Sequence, residues 1–466
     1  MGDALLMLMV LAVAGGARGW YVHSFTDDGP APLEVQGSYP YVDGQSGKKS
    51  EVAALVESLT DKQSFAGRAP LADQEETTAH RAPGYCWIAA QAARWLDQPQ
   101  MVMRWLHVVL GSLTAACYFL FARRAFQSLA VGFLAGLLVA LHPFYILNTA
   151  ELNDGVLATF LLAATLALGT RGGQEGGPVT SLLFGLSAAG LAMVRAALLP
   201  FATLAVLWYL LRCRKIKKGW FAALLAFLGF ANGLAPWAVR NFRTFGHPVP
   251  VADSALLHLW IGNCRTGSGG PMSEAGLRKS LPEKRLQELL AESNQARRYT
   301  LLGRDLLPEI VDNPGGTLQR RLWAGLYFVF GQDWFTRNTF VEPAAARATE
   351  TPPPDWLLEL VPALLAGAVL AMLPLALIGW RWSYLWRRSA RLAAIAVIWL
   401  PLPYLLSHAD LLSGPRLPLD GVLLCYGAFT LACLVPGLRH DLARGGPGSA
   451  AKEKKDKTSG RPDALP

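Results

Sequence analysis

MVMRWLHVVLGSLTAACYFLFARRAFQSLAVGFLAGLLVALHPFYIL, residues 101–147, decides what kind of chain this is. Its apolar runs, Met101–Phe121 and Phe126–Leu147, are each about 20 residues long. At about 1.5 Å per residue, such a run crosses a hydrocarbon core about 30 Å thick as a helix. The basic pair Arg123-Arg124 sits in the short link between them. Similar runs recur on both sides: Ala4–Tyr21 before, and Leu152–Leu168, Val179–Val194, Ala196–Leu211, Trp220–Val239, Trp356–Trp380, Leu392–Leu406 and Leu419–Val435 after. Ten crossings place both termini on one side of the membrane. The links Arg123-Arg124, Arg212–Lys218 (RCRKIKK) and Arg381–Arg391, with the Lys-rich tail after Gly437, all fall on that side. Lys and Arg accumulate in cytoplasmic loops, so both termini are expected in the cytoplasm.

Of the 466 residues, 52% are hydrophobic and 17% charged, where an ordinary soluble domain carries roughly a quarter charged residues. That balance excludes a disordered chain and a small disulfide scaffold. The net charge of +9 gathers in inter-helix links and the C-terminal tail, so it sets topology and does not build a groove for nucleic acid. Ala12-Val13-Ala14 resembles a signal-peptidase site, but no Lys or Arg precedes it, and Trp20-Tyr21 suit an interfacial belt. A retained first helix is expected.

The expected fold is an all-α polytopic membrane protein of about ten transmembrane helices with two ordered extracytoplasmic loops. Residues 1–21 form the first helix, 22–100 the first periplasmic loop, 101–239 helices two to seven, 240–355 the second periplasmic loop, 356–436 helices eight to ten, and 437–466 a disordered basic cytoplasmic tail. In the first loop, Val52, Leu55, Val56 and Leu59 follow the i, i+3, i+4, i+7 stripe of an amphipathic helix. In the second, Ser280-Leu281-Pro282-Glu283 reads as a capping box opening a helix through Leu286, Leu289 and Leu290. Leu322–Phe330 is apolar but too short to span, and suits the membrane interface.

Nucleotide-binding glycine loops, H-E-x-x-H, paired C-x-x-C and D-x-D are all missing from the sequence, and no metal or cofactor is expected. There is no N-x-[ST] acceptor, so nothing hints at a eukaryotic secretory protein. Cys86 and Cys264 both fall on the outer side, where a disulfide is chemically possible.

Charged residues laid on this topology give one informative pattern. Arg81 (in HRAPGY), Arg195, Arg240 (in PWAVRN, followed by Asn241) and Arg416 (in GPRLP) all stand at outer ends of helices. Any one alone reads as a snorkelling interfacial Arg. Four from distant segments fit a pocket for an anion at the membrane surface, most simply a lipid phosphate, because guanidinium donors bind phosphate bidentately. Asp27, Asp28 and Asp43, between the first span and the amphipathic helix, are candidate general bases beside that pocket. Glu151 and Asp154 at the outer end of the fourth span form a second acidic group, suited to function or to capping helix ends.

Residues 80–173 (HRAPGYCWIAA, MRWLHVVLGSLTAACYFLFARRAF, LAGLLVALHPFYILN, then Asp154 opening the next span) resemble the C-type integral-membrane glycosyltransferases. The nearest groups are protein O-mannosyltransferase-like proteins and bacterial aminoarabinose transferases. The resemblance continues through PWAVRNFRTFGHPVP, the helix ending at Asp312-Asn313-Pro314, and GPRLPLD. Each motif is short, and the order and spacing carry the likeness. It implies a sugar on a polyprenyl phosphate, transferred on the periplasmic or lumenal side to an acceptor, usually with inversion; the chain is accordingly read as a bacterial inner-membrane enzyme acting on a lipid, glycan or protein acceptor of the envelope. It also implies a first-loop Asp as base. Counting back from Leu55–Phe65 puts Lys48 or its neighbours where the family carries that acid, with Asp43 the nearest acid upstream. Either a small insertion returns Asp43 to place, or Asp27 or Asp28 acts, or the chemistry has diverged.

Two rivals share some of these features. A transporter or flippase of a lipid-linked glycan needs polar groups at the bilayer mid-plane, yet Val131–Leu141 and Val361–Ile378 carry no charge. A non-catalytic partner in an envelope complex needs no convergence of Asp and Arg on one face.

Overall fold

A computed structural model describes residues 2–26, 51–175, 177–214, 219–330, 371–383, 390–409 and 416–436. Among them, six helices are long and apolar enough to cross a membrane: Gly2–Ser24, Pro99–Phe126, Gly155–Gly172, Ala196–Cys213, Gly219–Phe245 and Leu417–Leu434. A bent pair, Leu129–Ala140 and Pro143–Ala150, makes a seventh if its halves, 44° apart, count as one span. Pro178–Val194 and Arg391–Leu406 are shorter apolar helices. A two-residue antiparallel pairing of Ala66–Gly67 with Glu76–Thr77 is the one sheet among the described residues. The chain is an all-α polytopic membrane protein. The expected ten spans differ from this count because the third is broken and the fifth and ninth are short. The eighth lies largely outside the described residues, as does the whole of the tail at 437–466.

In chain order the helices used below are α1 (Gly2–Phe25), α2 (Glu51–Asp61), α3 (Pro83–Trp95), α4 (Pro99–Phe126), α5 (Leu129–Ala140), α6 (Pro143–Ala150), α7 (Gly155–Glu175), α8 (Pro178–Val194), α9 (Leu199–Cys213), α10 (Gly219–Phe245) and α11 (Ala255–Asn263). The break between α5 and α6 follows from Pro143, which lacks an N–H and occupies the first turn of α6. The break leaves the last carbonyls of α5 without their full set of helical partners in the core of the bundle. Arg18 of α1, fully buried, supplies their donors: Nη1 to Ala140 O at 2.8 Å and Nη2 to Val139 O at 3.1 Å. A cation at a helix C-terminus also opposes the negative end of its dipole.

The α8 and α10 backbones approach closely because both carry glycine at the crossing. A Cβ on Gly229 would lie 2.6 Å from Leu182 O and 3.1 Å from Leu186 N. Small residues drive helix association where lipid provides no hydrophobic contrast. Gly229→Val is expected to cost about 1–3 kcal/mol through overpacking, read as a lower thermal unfolding midpoint in detergent.

Outside the spans, α2 buries Val52, Leu55 and Val56 against Phe65, Tyr85 and Ala89, as its stripe predicts. A second cluster joins Leu257, Trp260, Leu277, Leu289 and Tyr299 with Leu71 from the first outer segment, so the two segments share one core. The capping box at Ser280 is corrected. Pro282 is itself the N-cap of the helix Glu283–Ala291, and the Ser280 hydroxyl donates to Leu277 O at 2.7 Å, finishing the preceding helix. The residue before a proline is pushed to extended backbone, and Leu281 (φ −100°, ψ 140°) separates Ser280 from the helix it was expected to start. Cys86 and Cys264 form no disulfide and lie in different clusters.

Candidate functional site

A cavity of about 490 Å³ opens where the spans meet both outer segments, within the roughly 300–1,000 Å³ range of small-ligand sites. His80, Arg81 and Tyr85 form one wall, Asp154 and Arg195 another, and Ser254, His258 and His408 a third. Leu199, Pro200, Trp399 and Leu402 line it with apolar surface.

Local sequence explains how the walls meet. Pro83 opens α3 directly after Arg81 and Ala82. Gly84 in its first turn lies against the end of α8, where a Cβ would sit 2.8 Å from Met193 O. Only glycine permits that approach, which sets the chain carrying Arg81 beside the turn carrying Arg195. Arg195 ends α8 in extended conformation (φ −140°, ψ 100°). Its guanidinium grips Asp154 at the start of α7 with two parallel bonds, Nε to Oδ2 at 3.0 Å and Nη2 to Oδ1 at 2.6 Å. The side chains are 4% and 13% exposed, so the pair is buried and each charge depends on the other.

Three histidines share the cavity. His258 Nδ1 lies 3.0 Å from His408 Nε2. The His80 ring stands 5.9 Å from that of His258, and His80 Nδ1 lies 3.1 Å from the Tyr299 hydroxyl. Burial holds His258 well below its ordinary value, and His408, His80 and Arg81 add to the effect. Burial and then Arg321 lower His408 to about 4. Both imidazoles are therefore neutral at pH 7 in the unliganded protein.

The structure brings Arg81, Asp154 and Arg195 together and leaves Arg240, Asn241, Arg416 and Glu151 outside the cavity lining. Arg240 donates to Thr78 O at 2.9 Å and Phe65 O at 3.2 Å, with its guanidinium 4.6 Å over the Trp237 ring. Asn241 donates to Val249 O and Val251 O at 3.0 and 3.2 Å. The two side chains fasten both outer segments to α10 and stand outside the cavity wall. Arg416, 1% exposed, pairs with Asp420 at 2.8 Å, donates to Val329 O and lies over the Phe144 ring. Neither it nor Glu151 lines the cavity. The four-arginine convergence expected from sequence is thus two arginines here, because a helix end fixes the depth of a side chain and not its direction. Asp27, Asp28 and Asp43 lie outside the described residues. Among the described residues, no group of three or more His, Cys, Asp or Glu side chains could hold a metal ion.

Sequence reasoning missed the histidines and Asp253. His258 and His408 are 150 positions apart, and no motif links them. Asp253 sits between the wall residues Ala252 and Ser254. Its carboxylate oxygens are buried without a hydrogen-bond partner among the described residues. Burial raises the carboxyl to about 7, with Glu76 adding to the rise and Arg298 and Arg240 opposing it. A raised carboxyl binds its proton more tightly in the folded state, so its contribution is complete below the unfolded value of 3.8 and fades as pH rises through about 7. Asp253→Asn should therefore flatten the fall in thermal midpoint between about pH 4 and pH 7; an unchanged slope would assign that fall to other groups.

Residues 80–238 match the family described as dolichyl-phosphate-mannose-protein mannosyltransferase. The stretch from HRAPGYCWIAA to Asp154, on which the resemblance was read, lies inside that match. Solved structures similar to the chain include the archaeal oligosaccharyltransferase AglB from Archaeoglobus fulgidus, in complex with an inhibitory peptide and a dolichol-phosphate. That alignment has 9% identity and a TM-score of 0.45, covering 100% of this chain and 53% of that one. ArnT from Cupriavidus metallidurans in the apo state gives 14% identity and 0.37, covering 93% and 79%. The same protein bound to undecaprenyl phosphate gives 12% and 0.32, covering 92% and 77%. The chain spans about half the length of the archaeal structure. No curated protein sequence matches it.

Proposed function

We propose that the chain is a membrane glycosyltransferase that moves a sugar from a polyprenyl-phosphate donor to an envelope acceptor, at the periplasmic face of a bacterial inner membrane. The observation that carries this reading is the match of residues 80–238 to dolichyl-phosphate-mannose-protein mannosyltransferases. Within that stretch, Arg81, Asp154 and Arg195 stand on one cavity between spans and outer segments.

A carboxylate of the first outer loop, Asp43 ahead of Asp27 and Asp28, takes the proton of the acceptor hydroxyl as its oxygen attacks the anomeric carbon. The bond from that carbon to the phosphate oxygen breaks, and its electron pair leaves with the phosphate. The lipid passes from a singly charged diester to a monoester carrying nearly two negative charges. Arg81 and Arg195 stabilise that added charge as preorganised donors on the cavity wall. Asp154 holds Arg195 in place, and Arg240 with Asn241 keeps the outer wall assembled. Segments 22–100 and 240–355 are read as periplasmic, and 437–466 as the cytoplasmic tail.

Membranes containing the protein, supplied with radiolabelled polyprenyl-phosphate hexose or pentose and an envelope extract, should pass label to lipid, glycan or protein and release polyprenyl phosphate. Label that crosses the bilayer still on its donor would support transport instead. Label that stays on the donor in every combination would remove the transferase reading.

A further inference from the structure

The contact between His258 and His408 is not used by the transfer chemistry above. It joins two imidazole nitrogens, 3.0 Å apart, from the second outer segment and from the turn after the helix Arg391–Leu406. At that separation one N–H lies between the rings, and the pair has room for one further proton. The charged and titratable groups around it are His80 with its partner Tyr299, Arg81 on the same wall, Arg321 facing His408, and the Arg195–Asp154 pair across the cavity.

We propose that the His258–His408 pair is a proton store for a phosphate monoester bound in this cavity, taking up one proton as the anion arrives and giving it back as the anion leaves. The inference rests on the proposed transferase reading and names a second kind of phosphate partner beside the guanidiniums. With the cavity free of anion, the nearby guanidiniums repel an added proton. A phosphate monoester brings nearly two negative charges among them and reverses the sign of the local field. A free imidazole titrates near 6.5, and burial more than the surrounding cations holds both rings below that value, so the nearly two negative charges of the monoester must offset the cost of burial as well as the repulsion before the pair takes up a proton. The donor diester carries one negative charge and the departing monoester carries nearly two. A pair that charges only for the second favours the product side of bond breaking over the bound donor. No bond to carbon or phosphorus is made by either ring; the proton comes from solvent and returns there.

The test uses the full-length protein in lipid nanodiscs and titration calorimetry at pH 7 in two buffers of different ionisation enthalpy. The probes are geranyl phosphate and inorganic phosphate. After correction for the ligand's own ionisation near pH 6, geranyl phosphate should bind with uptake of about one proton. His258→Gln and His408→Gln should each abolish the uptake and weaken binding about tenfold, the loss of one charge-assisted contact. Uptake with geranyl phosphate alone assigns the store to a lipid headgroup, and uptake with both probes assigns it to phosphate from either source. Geranyl phosphate binding to the unaltered protein without proton uptake, or uptake undiminished in both variants, overturns the inference and leaves the transferase reading standing. Failure of both probes to bind removes both.

Discussion

Asp43→Asn is expected to lower sugar transfer by about 10²–10⁴-fold, the usual contribution of a positioned general base, while membrane insertion and folded yield stay unchanged. An amide keeps the shape and polarity of the carboxylate but cannot accept the acceptor's proton. The effect should fall on the turnover rate and leave donor affinity nearly intact, because the base acts on the acceptor side. Asp27→Asn and Asp28→Asn, measured beside it, decide which first-loop carboxylate acts. If Asp43→Asn transfers sugar at the original rate and one of the other two does not, the base moves to that residue. If all three retain activity, general-base catalysis from this loop is wrong.

Arg195→Ala should have the second largest effect, on stability and transfer together. Removing one partner of a buried ion pair leaves the other uncompensated, at a cost of about 3–5 kcal/mol. Asp154, 13% exposed, would be left without its guanidinium partner. Transfer should drop by about 10²–10³-fold, as when one donor to a developing anion is lost. The double variant Arg195→Met with Asp154→Leu separates the two consequences. Apolar replacement of both partners often restores stability, so the double variant should unfold near the original temperature yet remain inactive. Recovery of transfer along with stability would make the pair purely architectural and would take Arg195 out of phosphate binding.

Much of the fold was legible because hydropathy and loop charge act along the chain. The runs at Met101–Phe121 and Leu152–Leu168 and the Val52, Leu55, Val56 stripe correspond to helices in place, while Arg123-Arg124, expected in a link, form the last turn of α4. What failed depended on a single local conformer. Pro282 shifted a helix start by two residues and moved Ser280 to the end of its predecessor. The break at Pro143 turned one expected crossing into two short helices. The site was harder to read because it depends on where side chains aim. Arg240 and Arg416 stand at helix ends as expected, but their forks are taken by Thr78 O and Phe65 O in one case and by Asp420 in the other. Arg81 and Arg195 meet only because Gly84 lets α3 lie against the end of α8, a contact made across more than 100 positions. No pattern within a window of sequence encodes the nearness of His258 to His408.

Arg18 also governs the order in which the molecule can be made. The carbonyls that receive its guanidinium lie 121 and 122 positions downstream, and at about 5–20 residues per second a ribosome needs roughly 6–24 s to produce them. Throughout that delay the nascent first helix carries an unpaired cation near its outer end, free to reach the headgroups and water. It waits at the headgroups and can settle only after the bend at Pro143 has emerged to receive it.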